Sequence, residues 1–212
     1  MKYRFQTLIV AFLMAFSANA QTKNADQLLE ELSATTNSYQ NIKVTFAYTM
    51  KNNEAGIDET TNGTLIVSGE KYHLNIAGQE VISDGKTLWT YLADSEEVQV
   101  NDVDPEEGFS PSKLLSSYNK EYTAKKENNL IIGGKSFLQL KLKPKDKDSN
   151  FDFVILVIDQ DAMQLSKFII HDFEGNIFTY DLKQFVTNSE LPADSFTFDP
   201  SKYPDVEVID MR

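Results

Sequence analysis

The feature of this chain that most constrains its fold is a series of short segments in which apolar and polar residues alternate. Residues 42–50 read Ile-Lys-Val-Thr-Phe-Ala-Tyr-Thr-Met. A period of two is typical of a strand that buries one face. Similar segments follow up to Val100, separated by tight-turn residues such as Asp84-Gly85. This half of the chain is therefore predicted to form a meander of antiparallel strands.

A second group of strands is predicted from residue 122 onward. Residues 138–142 alternate cleanly, and a hairpin is predicted about Glu174-Gly175. Residues 151–158 are apolar on both faces, so we expect that strand to be covered on both sides. The predicted fold class is therefore mainly β (α+β), with about ten or eleven antiparallel strands in a sheet that curls to protect its edges.

Two or three short helices are predicted beside these strands, and two of them can be located. Residues 24–39 place Leu28, Leu29 and Leu32 on one side of an amphipathic helix. Ser110-Pro111 resembles an N-cap followed by proline at the first helical position. It is predicted to open a short helix through residue 118.

The first twenty residues have the pattern of a cleaved signal peptide. Lys2 and Arg4 precede an apolar run over residues 8–16, and Ala18-Asn19-Ala20 is a small-x-small cleavage site. The apolar run is too short to span a bilayer. We therefore expect an exported protein that begins at Gln21, and a single domain over residues 21–212.

Charge and cysteine content exclude several kinds of function. The net charge is −12, and Lys2 and Arg4 account for +2, so residues 21–212 carry −14. This balance argues against nucleic-acid binding and disfavours contact with an anionic membrane surface. The chain has no cysteine, which excludes disulfides, thiolate zinc sites and a cysteine nucleophile. A soluble monomer is expected.

The sequence offers little chemistry for catalysis. The two histidines, His73 and His171, leave a metal pair or a general base open, and the acidic residues 146–152 resemble the start of a calcium loop. That segment lacks the glycine and the closing glutamate of an EF-hand, so a solvated turn is the simpler interpretation. No nucleophile elbow, zinc-helix or P-loop pattern occurs. We predict no enzymatic activity, no cofactor and no metal.

Residues 83–91, Ser-Asp-Gly-Lys-Thr-Leu-Trp-Thr-Tyr, resemble the S-D-G-K-x-L-W-x-Y core of the LolA-type periplasmic carriers of outer-membrane lipoproteins. The order of the surrounding elements agrees with this family. A leading helix precedes a strand that contains Thr45-Phe46, and Gly63-x-Leu65 opens the next strand. Near the C-terminus, residues 196–200 and 206–210 resemble the family's closing motifs. The resemblance covers essentially all of residues 21–212.

The resemblance implies an incomplete antiparallel barrel whose lid helices enclose an apolar cavity. It implies a carrier that receives lipoproteins from an inner-membrane lipoprotein-releasing transporter and delivers them to an outer-membrane acceptor, without a cofactor. The residues expected to line the cavity and bind acyl chains are Phe46, Tyr48, Tyr72, Leu74, Trp89, Tyr91, Leu114 and Leu115. Alternation alone also fits an ordinary filled sheet core, and it does not say which strand faces point inward.

One segment departs from the family pattern. The family places an Arg-Pro pair after the strand opened by Gly63-x-Leu65, and its arginine helps to hold the lid. Here residues 68–71 read Ser-Gly-Glu-Lys, and Lys71 is not a bidentate donor. A lipid-sensing regulator or another lipid carrier on the same fold, and more distantly a secreted hydrolase, remain alternative functions.

Overall fold

The structure is a computed structural model, which describes residues 23–104 and 122–212. The predicted signal peptide, and the predicted helix that contains Leu114 and Leu115, lie outside the described residues.

Helix α1 (Ala25–Asn37) begins at a complete capping box. The Asn24 side chain accepts from the backbone N–H of Gln27 at 2.8 Å, and the Gln27 side chain accepts from that of Asn24 at 3.0 Å. These two bonds satisfy N–H groups that would have no partner within the helix. Ser38 caps the C-terminal end of the helix, and its hydroxyl donates to the carbonyl of Thr35 at 2.7 Å. The predicted helix is confirmed, two residues shorter at its C-terminal end.

Twelve strands follow in the described residues. The first six form the predicted meander: β1 (Ile42–Asn52), β2 (Ile57–Ser68), β3 (Lys71–Ile76), β4 (Gln79–Ser83), β5 (Thr87–Leu92) and β6 (Glu97–Asp102). The other six are β7 (Tyr122–Ile132), β8 (Lys135–Pro144), β9 (Phe151–Asp159), β10 (Gln164–Asp172), β11 (Ile177–Thr187) and β12 (Glu207–Asp210). A 3-10 helix, Pro200–Lys202, precedes β12.

All twelve strands belong to one open, curled sheet. Their order is β12-β6-β5-β4-β3-β2-β1-β11-β10-β9-β8-β7. Neighbours are antiparallel, except that β12 runs parallel to β6. The curled, mainly antiparallel sheet predicted from the sequence is confirmed, with β7 and β12 at its edges.

The face of the sheet that packs against α1 is called the inner face here. Leu29 and Leu32 of the helix are almost fully buried in one cluster with Leu140, Leu142 and Leu156 of β8 and β9. Paired residues on neighbouring strands point to the same face of a sheet. The register therefore assigns every strand residue either to this inner face or to the opposite, outer face.

Strand β9 is covered differently on its two faces. Val154, Leu156 and Ile158 are buried on the inner face, as predicted. On the outer face Phe153 and Ile155 are half-buried, and the Lys141 Nζ lies 3.5 Å from the centroid of the Phe153 ring. At Phe153 the second cover is thus a long lysine side chain, because lysine can lay its apolar stem over a neighbour. Val157 on the same outer face is also buried, at 6% exposed.

Among the described residues, no helix has both the length and the apolar character that crossing a membrane would require.

Candidate functional site

An aromatic cluster occupies the middle of the inner face. Tyr180 of β11 stacks on Phe168 of β10 with ring centroids 4.3 Å apart, and its ring lies 4.9 Å from that of Tyr48 and 5.7 Å from that of Phe46. Tyr48 in turn stacks on Phe178 at 6.5 Å. Cross-strand register produces this cluster, because Tyr48 lies directly opposite Tyr180.

A glycine on the neighbouring strand makes room for one of these rings. Gly63 of β2 lies opposite Phe46 of β1. A Cβ atom at Gly63 would lie 2.7 Å from the Phe46 Cε2 and 2.9 Å from the backbone oxygen of Asn75. Glycine within a strand often marks such a close approach. The Gly-x-Leu motif noted in the sequence therefore has a local structural role at the edge of the aromatic cluster.

Burial affects the ionisation of both tyrosines, more strongly at Tyr180 than at the half-buried Tyr48. Burial raises the pKa of Tyr180 to about 12, with a smaller contribution from the nearby Tyr48. Burial also raises the pKa of Tyr48. Desolvation disfavours the phenolate form in both cases. The centre of the inner face is therefore an apolar environment that carries two neutral hydroxyl groups.

The apolar surface continues across the meander. Leu74 of β3 lies opposite Val81 of β4, and Leu88 of β5 lies opposite Ser83, which in turn pairs with Tyr72. Leu74, Val81 and Leu88 are only partly buried, although they pack against the core cluster. This side of the inner face is an aliphatic surface that is not fully enclosed.

The structure brings together four of the residues expected to line a cavity. Phe46, Tyr48, Tyr72 and Leu74 share the inner face and belong to, or pack against, one cluster. Phe46 is 3% exposed and Tyr72 is 9% exposed, so these two residues form the buried base of the cluster. Tyr48 and Leu74 are half-buried and accessible from the inner side. Leu114 and Leu115 lie outside the described residues.

Trp89 and Tyr91 lie on the other face of the sheet. Trp89 pairs with Ile82, and Ile82 pairs with His73. The adjacent row of cross-strand partners, formed by Leu88, Ser83 and Tyr72, lies on the inner face. Strand alternation thus turns Trp89 and Tyr91 outward. They do not border the same space as Phe46 and Tyr48.

A second apolar cluster surrounds these two outer residues. The segment of residues 189–206, between β11 and β12, covers the outer face of β3 to β6. Its Phe198 is buried with Ile82 and Val98. The ring of Tyr203 lies 4.5 Å from that of Tyr91 and 5.0 Å from that of Phe198. Trp89 and Tyr91 therefore help to hold the 189–206 segment on the sheet.

A histidine fixes the same segment by hydrogen bonds. The His73 Nδ1 lies 3.0 Å from the carbonyl oxygen of Ser195, and its Nε2 lies 2.7 Å from the Glu80 Oε1. The Tyr203 hydroxyl donates to the other oxygen of Glu80 at 2.5 Å. Both ring nitrogens face acceptors, so the doubly protonated imidazolium suits this position. The hydrogen bond with Glu80 raises the pKa of His73, and the same bond lowers the pKa of Glu80.

A cleft of about 360 Å³ lies between the 189–206 segment and the outer face. Its lining combines the apolar Ile66, Ile82, Leu191, Pro192 and Phe198 with acidic and basic side chains: Lys43, His73, Glu80, Glu190, Asp194, Asp199 and Lys202. Burying an acyl chain there would desolvate these groups at high cost. The inner face, rather than this cleft, has the chemistry of an acyl-chain site.

No group of three or more metal-ligating side chains occurs within residues 23–104 and 122–212. In the calcium-like segment the Asp146 side chain accepts from the backbone N–H of Asp148 at 2.9 Å, and Asp152 pairs with Lys143 at 3.3 Å. These contacts are those of a polar turn. His171 stacks on Phe153 at 4.2 Å, far along the sheet from His73.

Sequence reasoning missed the residues that complete the aromatic cluster. Phe168, Phe178 and Tyr180 were not among the expected site residues. Their alternation along β10 and β11 is visible in the sequence, but it does not reveal that β11 pairs with β1. Only that pairing of distant strands places them beside Phe46 and Tyr48.

Together these features define a class of protein: a mainly β protein whose open, curled sheet carries a helix and an incompletely enclosed apolar surface on its inner face. A solved structure with this fold, an uncharacterized conserved protein from Thermus thermophilus, matches with a TM-score of 0.58 at 11% identity. The match covers 86% of this chain and 96% of that chain.

The family follows from comparison of sequences. The model of the family described as outer membrane lipoprotein carrier protein LolA matches residues 37–199, and the chain belongs to this family. The outer-membrane lipoprotein carrier protein of Haemophilus ducreyi is 30% identical over 217 residues, which cover 100% of this chain and 98% of the relative. The carrier protein of Legionella pneumophila strain Paris is 24% identical over 202 residues, which cover 94% and 97%.

Proposed function

We propose that this protein is a periplasmic chaperone that binds the acyl chains of lipoproteins on its inner face and carries lipoproteins from the inner to the outer membrane. The observation that carries the proposal is the apolar inner face, with half-buried Tyr48, Leu74, Val81 and Leu88 above a closed core. Membership of the LolA family supports the same function.

The free energy of hydration explains why such a carrier is needed. At about 0.8 kcal/mol per methylene, exposing three acyl chains of about fifteen carbons to water would cost on the order of 30 kcal/mol. A lipoprotein therefore cannot cross an aqueous compartment at a useful rate unless its chains are sheltered. An extended, aliphatic and aromatic surface offers that shelter without chemical change to the cargo.

Location and partners follow from this role. The signal-peptide pattern of residues 1–20 fits a protein that works in the periplasm. An inner-membrane lipoprotein-releasing transporter would supply the cargo, and an outer-membrane acceptor would receive it. Transfer of a bound lipoprotein needs no covalent step, so the proposed role is that of a binding protein rather than an enzyme.

Binding of a fluorescent fatty-acyl probe tests the site. Leu74→Asn places an amide among apolar neighbours on the inner face, and we expect about tenfold weaker binding because the probe must desolvate it. Ile155→Asn is the matched control, since Ile155 is also half-buried but lies on the outer face of β9. Equal loss in both variants, or no binding of any acyl probe by the unaltered protein, would contradict the proposed site.

Transfer distinguishes a carrier from a lipid sensor. Inner-membrane vesicles that contain lipoprotein and its releasing transporter should release lipoprotein into solution when this protein is added. The Leu74→Asn variant should release less, and Ile155→Asn should behave as the unaltered protein does. Probe binding without any release of lipoprotein would identify a lipid-binding sensor instead.

A further inference from the structure

Two tyrosine hydroxyls on the inner face have no hydrogen-bond partner in the described part of the chain. Tyr48 and Tyr180 lie directly opposite each other on β1 and β11, with ring centroids 4.9 Å apart. Burial raises the pKa of both groups, and no hydrogen bond contributes to either shift. The Tyr203 hydroxyl on the outer face, by contrast, donates to Glu80. The inner face therefore carries two adjacent donors that the described residues leave unused.

A purely hydrocarbon ligand does not account for these hydroxyls. The rings around them belong to phenylalanines: Phe46, Phe168 and Phe178. A hydrocarbon that covered Tyr48 and Tyr180 would exclude water from both hydroxyls and leave them without a partner, at a cost in free energy. Phenylalanine at the same two positions would avoid this cost. Both tyrosines are half-buried, so a ligand on the inner face can reach them.

An acyl chain carries the acceptor that these donors lack. The chain ends in a carbonyl group, where an ester or an amide joins it to the rest of the lipid. Because burial raises the pKa of Tyr48 and Tyr180 above the ordinary value of 10.0, both remain protonated at neutral pH and can donate. A neutral carbonyl is also less costly to bury beside phenyl rings than a carboxylate or a phosphate.

We propose that Tyr48 and Tyr180 donate hydrogen bonds to the acyl carbonyl oxygens of a diacylglyceryl lipid and so fix where its chains begin on the inner face. Leu74 pairs with Leu65, which pairs with Val44. Val44 lies four residues before Tyr48 on β1, so the aliphatic surface is about 13 Å from the tyrosines along the strands. A chain anchored at the tyrosines runs from the aromatic cluster toward Leu74.

This inference rests on the proposed function, because it concerns the same inner face. It adds recognition of the carbonyl group, which the sheltering of hydrocarbon does not require. Apolar contact binds an ester lipid and the matching ether lipid alike, whereas a hydrogen bond to a carbonyl favours the ester. Comparison of the two lipids therefore separates the carbonyl contact from acyl-chain binding.

Titration with matched lipids tests the contact. The probes are a diacylglyceryl-cysteine peptide with a dye on its peptide part, and its dialkyl ether analogue. Tyr48→Phe and Tyr180→Phe should each weaken binding of the ester about three- to tenfold, the value of one hydrogen bond. Neither substitution should weaken binding of the ether. Tyr91→Phe is the matched control, since Tyr91 is half-buried on the outer face, and it should change neither affinity.

The double variant, Tyr48→Phe/Tyr180→Phe, should bind the ester and the ether equally well. Equal losses for both lipids, or unchanged binding of the ester, would overturn the carbonyl contact while leaving the proposed function intact. Failure of the unaltered protein to bind either lipid would contradict the proposed function itself. Urea unfolding checks the fold of each variant, and removal of a hydroxyl without a partner should not lower the free energy of unfolding.

The same esters occur in lipoproteins and in phospholipids. Titration with a fluorescent phosphatidylglycerol and its diether analogue distinguishes the two sources, and an ester preference that the double variant loses supports the contact for whichever lipid shows it. Infrared spectroscopy reads the contact directly. The carbonyl band of the bound ester should lie at lower frequency in the unaltered protein than in the double variant, and identical bands would overturn the proposal.

Discussion

At the scale of single residues, the close approach of Gly63 and Phe46 shows how one position constrains the inner face. Phe46 is 3% exposed, and its ring occupies the place that a side chain at Gly63 would take. The sequence identified Phe46 by its alternation and Gly63 by its motif. It could not show that the two touch, because contact depends on the pairing of β1 with β2.

We expect Gly63→Ala to lower the free energy of unfolding by about 1–3 kcal/mol, the usual cost of adding a methyl group to a well-packed site. Urea unfolding measures this change. In a Phe46→Leu background the cost of Gly63→Ala should be smaller, since the smaller side chain leaves space. An equal cost in both backgrounds would mean that the clash with the Asn75 carbonyl, rather than with the ring, determines the effect.

At the scale of elements, local patterns predicted the strands and α1 well. The apolar side of α1 is visible in the sequence, as are the tight turns of the meander. The position of the 189–206 segment is not visible, because it depends on contacts between residues more than a hundred positions apart, such as His73 with Ser195. For the same reason the sequence could not assign Trp89 and Tyr91 to the outer face.

The His73–Glu80 contact makes attachment of the 189–206 segment depend on pH. The pKa of His73 is raised above its ordinary value of 6.5, so its contribution to stability is complete below that pH and is lost as pH rises through the folded-state pKa. The pKa of Glu80 is lowered from 4.5, so its contribution is complete above that pH and is lost on acidification. The stabilisation is therefore greatest between pH 4.5 and 6.5. Lys202, paired with Asp194 at 2.8 Å, weakly opposes protonation of His73.

We expect His73→Gln to lower the free energy of unfolding by about 1.5 kcal/mol near the upper end of this range, the value of a hydrogen bond to a charged group. The loss should become smaller as the pH is raised further, which urea unfolding at a series of pH values would show. His171→Gln is the control, because burial lowers the pKa of His171 and its titration therefore destabilises the folded state on acidification. The same pH trend in both variants would contradict the assignment to the His73–Glu80 contact.

At the scale of the whole molecule, the family resemblance supplied what local patterns could not. Alternation fits a filled core as well as a lipid-binding surface, and only the family resemblance, led by the S-D-G-K-x-L-W-x-Y segment, pointed to a carrier. The structure adds a physical argument for the inner face as the proposed binding surface, since Leu74, Val81 and Leu88 remain partly accessible beside a dense core. It also places the aromatic residues of the motif itself, Trp89 and Tyr91, on the other face. A family motif can thus identify a fold although its aromatic residues lie on the face opposite the proposed site.

The position of Lys71 bears on how the whole protein would release its cargo. Lys71 occupies the part of the chain where the family has its Arg-Pro pair, but it precedes the inner-facing Tyr72 and so points outward by alternation. It is exposed and pairs with Ser68 across a two-residue turn. An outward lysine cannot donate to groups above the inner face, so we do not expect it to act as a latch.

Lys71→Ala should therefore leave both loading and release of lipoprotein unchanged. Leu114→Asp or Leu115→Asp should impair transfer, because these residues are proposed to contact acyl chains and a carboxylate there must be desolvated when cargo binds. Loading from inner-membrane vesicles and release to outer-membrane vesicles are measured separately for each variant. If Lys71→Ala loads normally but fails to release, then Lys71 performs the role of the missing arginine despite its outward position. If the two leucine variants transfer normally while Leu74→Asn does not, the acyl chains are held by the sheet alone.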